Sequence, residues 1–194
     1  MDRRDSVAGV VLAAGSSTRM GQNKLLLQIG GQSVLRRAVH TALAAGLDPV
    51  LVVVGFEAER TRSALLGIGC RVVENLRYGE GMASSIAAGI RALAEPVEAA
   101  VIHLADMPRV TEKHLRTLVD RFRATQAPAV ASRYGNATAP PTAFEKALFP
   151  ELLALRGDAG ARAVLRRLGE DVGTVDFPEE DLLDLDVPRD LEKL

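Results

Sequence analysis

Short, continuous apolar runs alternate along the chain with longer stretches in which apolar positions recur at helical spacing. Residues 7–11, 49–54 and 99–104 are the strongest runs. Their length and β-branched content predict strands buried on both faces. Residues 71–73, 128–132 and 172–177 are shorter or weaker versions of the same signal. Between them, Ser33 precedes a stretch with Leu35, Ala38, Val39, Ala42 and Leu43 on one face, stopped by Gly46. Residues 57–66 predict a second helix. Thr111 opens another, with Leu115, Leu118, Val119 and Phe122 at helical spacing. Residues 144–155 and 159–168 also read as helices, whereas 133–141 reads as a loop. Alternation of this kind from end to end predicts an α/β domain. The expected fold is a single Rossmann-like unit over residues 1–194, with a mostly parallel sheet flanked by helices.

Length and composition narrow the class without naming it. A chain of 194 residues suits one full hydrophobic core. Lys and Arg number 24 against 25 Asp and Glu, so there is no basic excess of the kind a broad nucleic-acid surface needs. Cys70 is the single cysteine, which excludes an intrachain disulfide and a Cys-x-x-Cys metal site. It reads as a small apolar residue near a strand start. Residues 1–5 form a short polar extension with no apolar signal segment. No apolar run approaches the ~20 residues that span a bilayer. The expected setting is the cytoplasm, with neither a membrane nor a nucleic-acid partner.

Three stretches stand out as chemistry. After the first strand the sequence becomes small and polar through Leu12, Ala13, Ala14, Gly15, Ser16, Ser17 and Thr18, then supplies Arg19 and Lys24. Small residues let backbone N–H groups approach an anion, while Arg and Lys supply a planar fork and a mobile point charge. A polyphosphate grip is one reading and a polar βα connection the other. Neither G-x-G-x-x-G nor G-x-x-x-x-G-K-[ST] occurs there, so a dinucleotide oxidoreductase fails on glycine spacing. The second stretch is a helix start with unusually small residues: Gly79, Gly81, Met82, Ala83, Ser84 and Ser85. Either Ser84 or Ser85 caps the helix, or its free N–H groups and open space face a ligand. The third is Asp106, at the end of the strand 99–104, followed by Met107 and Pro108. Ligands of open α/β sheets bind beyond such strand ends, and a carboxylate beside a triphosphate is a natural Mg2+ ligand. A capping or surface role is the alternative. His103, inside the apolar run, reads as a hydrogen-bonded core histidine.

The loop L-A-A-G-x-S-x-R-M-G-x-x-K, met by Leu12, Ala13, Ala14, Gly15, Ser17, Arg19, Met20, Gly21 and Lys24, resembles the signature of the nucleotidyltransferases that share the fold of the molybdenum cofactor guanylyl- and cytidylyltransferases. The segment Gly81–Ile86, with Gly81, Met82, Ser85 and Ile86 at the fixed positions, resembles the G-M-x-x-S-[LIV] element of the cytidylyl branch. Leu155, Gly157, Asp158, Gly160, Ala161 and Arg162 are similar to its L-x-G-D-x-G-A-R element, where the plain reading has Asp158 capping a helix over 159–168. Asp184, Asp186, Pro188, Asp190 and Leu191 follow the group's acidic tail, with Val187 in place of Thr. Thr138–Pro141 departs from the group's G-x-P element.

The resemblance implies Arg19 and Lys24 on the triphosphate, and Asp106 and Asp186 on Mg2+. It implies Gly81, Met82, Ser84 and Ser85 around the nucleoside, with Arg162 at the acceptor phosphate. The implied substrates are CTP and a molybdopterin cofactor, and a molybdenum hydroxylase or its chaperone is the implied client. A sibling transferase that uses GTP or another phosphorylated acceptor stays open, as does a non-catalytic cofactor carrier.

Overall fold

The computed structural model describes residues 6–16, 21–94, 96–158, 160–185 and 187–193. Its strands and helices follow in the order β1 Val7–Ala13, β2 Gln28–Ile29, β3 Gln32–Ser33, α1 Val34–Ala44, β4 Val50–Val54, α2 Ala58–Ala64 and β5 Arg71–Glu74. Then come α3 Met82–Arg91, β6 Ala99–Leu104, α4 Glu112–Ala124, β7 Ala129–Tyr134, β8 Ala137–Glu145, α5 Phe149–Ala154, α6 Arg162–Leu168 and β9 Val172–Phe177. Seven strands form one sheet in the order β5-β4-β1-β6-β8-β7-β9, and β2 pairs only with β3. β8 alone runs against its neighbours β6 and β7, so the sheet is mostly parallel.

The order of strands decides where a site can form. From β1 the chain moves outward to β4 and β5, then returns to place β6 on the other side of β1. That reversal leaves a crevice beyond the carboxyl ends of β1 and β6, the switch point where open α/β sheets take ligands. β1 and β4 are buried along their whole lengths because helices cover both faces. One core lies between the sheet and α1 and α4, the other beneath α3 and α5. α3 lies close on the sheet because residue 89 is glycine. A Cβ there would stand 2.4 Å from a Val10 methyl.

Several expectations are corrected. Residues 133–141 are not a loop: β7 and β8 join through a tight turn at Gly135 and Asn136, where Gly135 has φ +59°. Pro140 and Pro141 fit inside a strand because the register shifts between Ala131 and Ser132, leaving the two prolines out of the ladder. Their carbonyls accept hydrogen bonds from the Tyr134 and Ser132 hydroxyls, at 3.2 and 2.7 Å. Phe144 and Glu145 finish β8 rather than start a helix. α6 begins at Arg162 with Ala161 as its N-cap, so Asp158 does not cap it. The helix at residue 111 is as expected, with a capping box in which His114 takes the place of an acidic residue.

Candidate active site

The floor of the crevice is built from the ends of β1, β4 and β6. The Ala105 N–H donates to the Leu12 carbonyl at 3.0 Å, which carries the β1–β6 pairing one residue beyond the strand and sets Asp106 beside the start of the signature loop. Met107, buried to 1% exposure, anchors the turn that follows. Lys24 arrives on a short 3-10 turn, Lys24–Leu26. Leu25 plugs that turn into the core. The Asn23 carboxamide caps it by accepting from the Leu25 N–H at 3.2 Å and donating to Glu57 at 3.1 Å. Arg60 and Asn23 both bond the Glu57 carboxyl and hold it below the usual carboxylate range. The outcome is a Lys24 Nζ to Asp106 Oδ2 ion pair of 2.5 Å, with the side chains only 12% and 19% exposed.

The other end of the crevice belongs to α3. Gly81 is its N-cap and has φ +97°, a conformation side chains avoid. No side chain caps the helix, so neither Ser84 nor Ser85 serves as expected. The first-turn N–H groups are not free either: Ala83 donates to the Gly157 carbonyl at 3.0 Å and Ser84 to the Gly81 carbonyl at 3.1 Å. What the small residues provide is room. Asn75, buried just after β5, donates its side-chain amide to the Ser84 and Ser85 hydroxyls at 2.8 and 3.1 Å, while its Oδ1 accepts from the Arg77 N–H. Gly55 lets both Ala14 and Tyr78 pack against its backbone, since a Cβ there would stand 2.6 Å from Tyr78 and 2.9 Å from Ala14.

Together these elements enclose a cleft of about 410 Å³. Lys24 and Asp106 line one part of it, and Leu12, Ala13, Ala14 and Gly15 line the floor. Gly81, Met82 and Ser85 line another part, so the three stretches singled out from the sequence share one cavity. Ser84 is not among its lining residues. Its hydroxyl lies 2.8 Å from the Gly81 carbonyl and 2.9 Å from that of Arg77. Arg162 is exposed at the start of α6 and does not line the cleft. Arg19 and Asp186 lie outside the described residues, as do Ser17 and Met20 of the signature. The tail before Asp186 is placed: the Leu185 N–H donates to the Asp106 carbonyl at 3.1 Å, and Leu185 is fully buried.

Tyr78 and Asp158 line the cleft although the sequence reading did not pick them out as contributors to the site. Tyr78 sits on an exposed 3-10 turn with no apolar periodicity to mark it. Asp158 comes from the distant α5–α6 connection, and only tertiary packing brings it to the cleft. His103 needs a correction too. It is buried, but neither ring nitrogen has a hydrogen-bond partner among the described residues, because the face it shares on β6 is lined with alanine and valine. Burial, with a smaller contribution from nearby His114, lowers its pKa to about 4.

A lysine–carboxylate pair and a small-residue floor at the switch point of a mostly parallel sheet suit the phosphates of a nucleotide, the arrangement expected of a nucleotidyltransferase. Comparisons with known proteins agree, and residues 9–172 match the MobA-like NTP transferase domain. The chain belongs to that family. It is 36% identical to the Bacillus subtilis purine catabolism protein PucB over 98% of this chain and 96% of that one. It is 30% identical to the nicotine blue oxidoreductase of Paenarthrobacter nicotinovorans, over 90% and 88% of the two chains. Among solved structures, Rv0371c of Mycobacterium tuberculosis superposes with a TM-score of 0.87 at 29% identity, covering 98% of this chain and 97% of that one. The same mycobacterial protein is also solved in complex with manganese, with a TM-score of 0.79, 27% identity and 97% of each chain covered. No helix among the described residues is long and apolar enough to cross a membrane.

Proposed function

We propose that this enzyme transfers CMP from CTP to the terminal phosphate of molybdopterin in the cytoplasm, releasing pyrophosphate. The observation that carries the reading is the polarity of the cleft. One part holds the Lys24–Asp106 pair, fit for phosphates and a cation, and another is small-sided at Gly81, Met82 and Ser85. The choice of CTP is supported by the likeness of Gly81, Met82, Ser85 and Ile86 to the element of the cytidylyl branch. The choice of acceptor is supported by the resemblance of the sequence motifs between Val7 and Leu191 to those of the molybdenum cofactor transferases, from which Thr138–Pro141 departs.

An oxygen of the acceptor phosphate attacks the α-phosphorus in line. A new P–O bond forms, the α–β bridge breaks, and the electron pair leaves on pyrophosphate. The acceptor is already anionic, so no general base is needed, and catalysis is positioning plus charge neutralisation. The residues present fit a hard divalent cation: the Asp106 carboxylate faces the cleft, and Mg2+ is satisfied by one or two carboxylates plus phosphate and water oxygens. Asp106, with Asp186 from the tail, would hold Mg2+, which supplies charge neutralisation at the α-phosphate. In this reading Lys24 exchanges Asp106 for the β- and γ-phosphates when the nucleotide enters, joined there by Arg19. Arg162 meets the acceptor phosphate from α6.

The test is pyrophosphate release with each of the four NTPs, Mg2+ and molybdenum-loaded molybdopterin. CTP is expected to exceed every other nucleotide by at least ~10-fold in kcat/KM. Turnover with GTP alone would overturn the nucleotide assignment. The likeness to nicotine blue oxidoreductase favours one rival, a redox reaction. Oxidation of NADH or NADPH without pyrophosphate release would support it.

A further inference from the structure

The α5–α6 connection is fitted onto the start of α3 by three separate contacts. The Gly157 carbonyl accepts the Ala83 N–H at 3.0 Å. A Cβ on Gly81 would stand 2.5 Å from the Asp158 Oδ1 and 2.6 Å from the Gly157 carbonyl carbon. A Cβ on Gly160 would stand 3.0 Å from the Met82 sulfur. Gly157 and Gly160 turn with φ +69° and +55°, so the segment bends around Asp158. Each of these contacts depends on a glycine, and together they hold the Asp158 carboxylate against Gly81.

That carboxylate lines the cleft at its small-sided part, with Gly81, Met82 and Ser85. It has no hydrogen bond or ion pair among the described residues, so its lone pairs remain available. Its neighbours define a complementary pair of functions. The Ser85 hydroxyl accepts from the Asn75 amide at 3.1 Å, which leaves its own hydrogen to donate. An ionised carboxylate can only accept. A base edge that matches this wall carries an acceptor beside an amino group, as the N3 and 4-amino group of cytosine do. Uracil presents N3–H and a carbonyl in those places and sets its O4 against a negative charge.

We infer that Asp158 is a specificity-determining residue: it accepts a hydrogen bond from the exocyclic amino group of the base, and so makes CTP preferred to UTP. The inference rests on reading the Gly81–Ser85 end of the cleft as the base site. A site built to accept from an amino group rejects the analogue that lacks it, because the acceptor is then left facing a carbonyl.

The experiment compares kcat/KM and the equilibrium dissociation constant for CTP and UTP in the intact enzyme, Asp158→Asn and Asp158→Ala. Asp158 is exposed, so both variants are expected to keep the melting temperature. In Asp158→Asn the CTP-to-UTP ratio is expected to fall at least ~10-fold, because the carboxamide can turn its N–H groups toward the uracil carbonyl. Asp158→Ala is expected to weaken CTP and to relieve the repulsion of UTP, so the ratio falls there too. A ratio unchanged in both variants overturns the inference, as does an equal loss for both nucleotides, the mark of a ribose contact. An enzyme that favours CTP while its variants leave the ratio alone refutes Asp158 and spares the base site. An enzyme that itself favours GTP refutes the base site.

Discussion

Asp106→Ala is expected to lower kcat on the order of 10³-fold while NTP affinity falls less than about tenfold. The asymmetry follows from where Asp106 stands. Its carboxylate faces the cleft at the carboxyl end of β6, and the Leu185 N–H on its carbonyl ties the acidic tail to the same strand end. On the proposed reading, removing it would take away the cation's anchor near the α-phosphate, where charge develops in the transition state. The cleft floor at residues 12–15 and the α3 start remain, and on the same reading these would hold the ground-state nucleotide. Lys24 would lose a carboxylate at 2.5 Å, so its charge becomes more available to phosphate, which offsets part of the binding loss. Asp106→Asn separates charge from shape: it keeps the volume and is expected to lose turnover just as heavily. Steady-state kinetics with CTP and equilibrium dialysis of the nucleotide give the two numbers. A kcat within about tenfold of the parent enzyme would remove Asp106 from the metal site.

His103→Leu is expected to raise the melting temperature and to flatten its fall in acid. Both ring nitrogens of His103 are buried without partners among the described residues. Replacing them with a side chain of similar volume removes a cost of roughly 1–3 kcal/mol, or about 2–12 °C for a chain of this size. The pH dependence has a definite sign. The imidazole titrates near its ordinary value in the unfolded chain and at about 4 in the folded protein. Between those two values the unfolded state binds more protons, so folding stability is lost as pH falls through that window. The full loss is about 3 kcal/mol, from a shift of roughly 2.5 pKa units at 1.36 kcal/mol each. Melting curves from pH 8 to pH 4 on both proteins isolate this contribution, since every other titrating group is shared. Parallel pH profiles would show that His103 finds a hydrogen-bond partner after all.

What the sequence made legible was what repeats or what sits at a strand end. Buried parallel strands read as unbroken apolar runs, so β1, β4 and β6 were plain, and with them the positions of Asp106 and the signature loop. The α3 start was visible through its small residues. Their purpose was not: Gly81 is small because Gly157 and Asp158 press against it, and Gly89 because Val10 does. Such contacts join residues far apart in the chain and leave no local period. The same limit hid β8. Its Pro140 and Pro141 argue against a strand until the register shift opposite Ala131 and Ser132 shows that neither proline has to donate. Asp158 looked like a helix cap because Asp before a helical stretch usually is one. In the fold the helix starts later, and the carboxylate turns to the cleft.

The most direct measurement is a crystal structure with Mn2+ and a CTP analogue that cannot be cleaved between the α- and β-phosphates. The account predicts an anomalous peak bonded to the Asp106 carboxylate and to phosphate oxygens. It predicts Lys24 turned from Asp106 to the phosphates, and the cytosine ring against Gly81, Met82 and Ser85. A metal bound away from Asp106, or a base lying outside the Gly81–Ser85 end of the cleft, would contradict it.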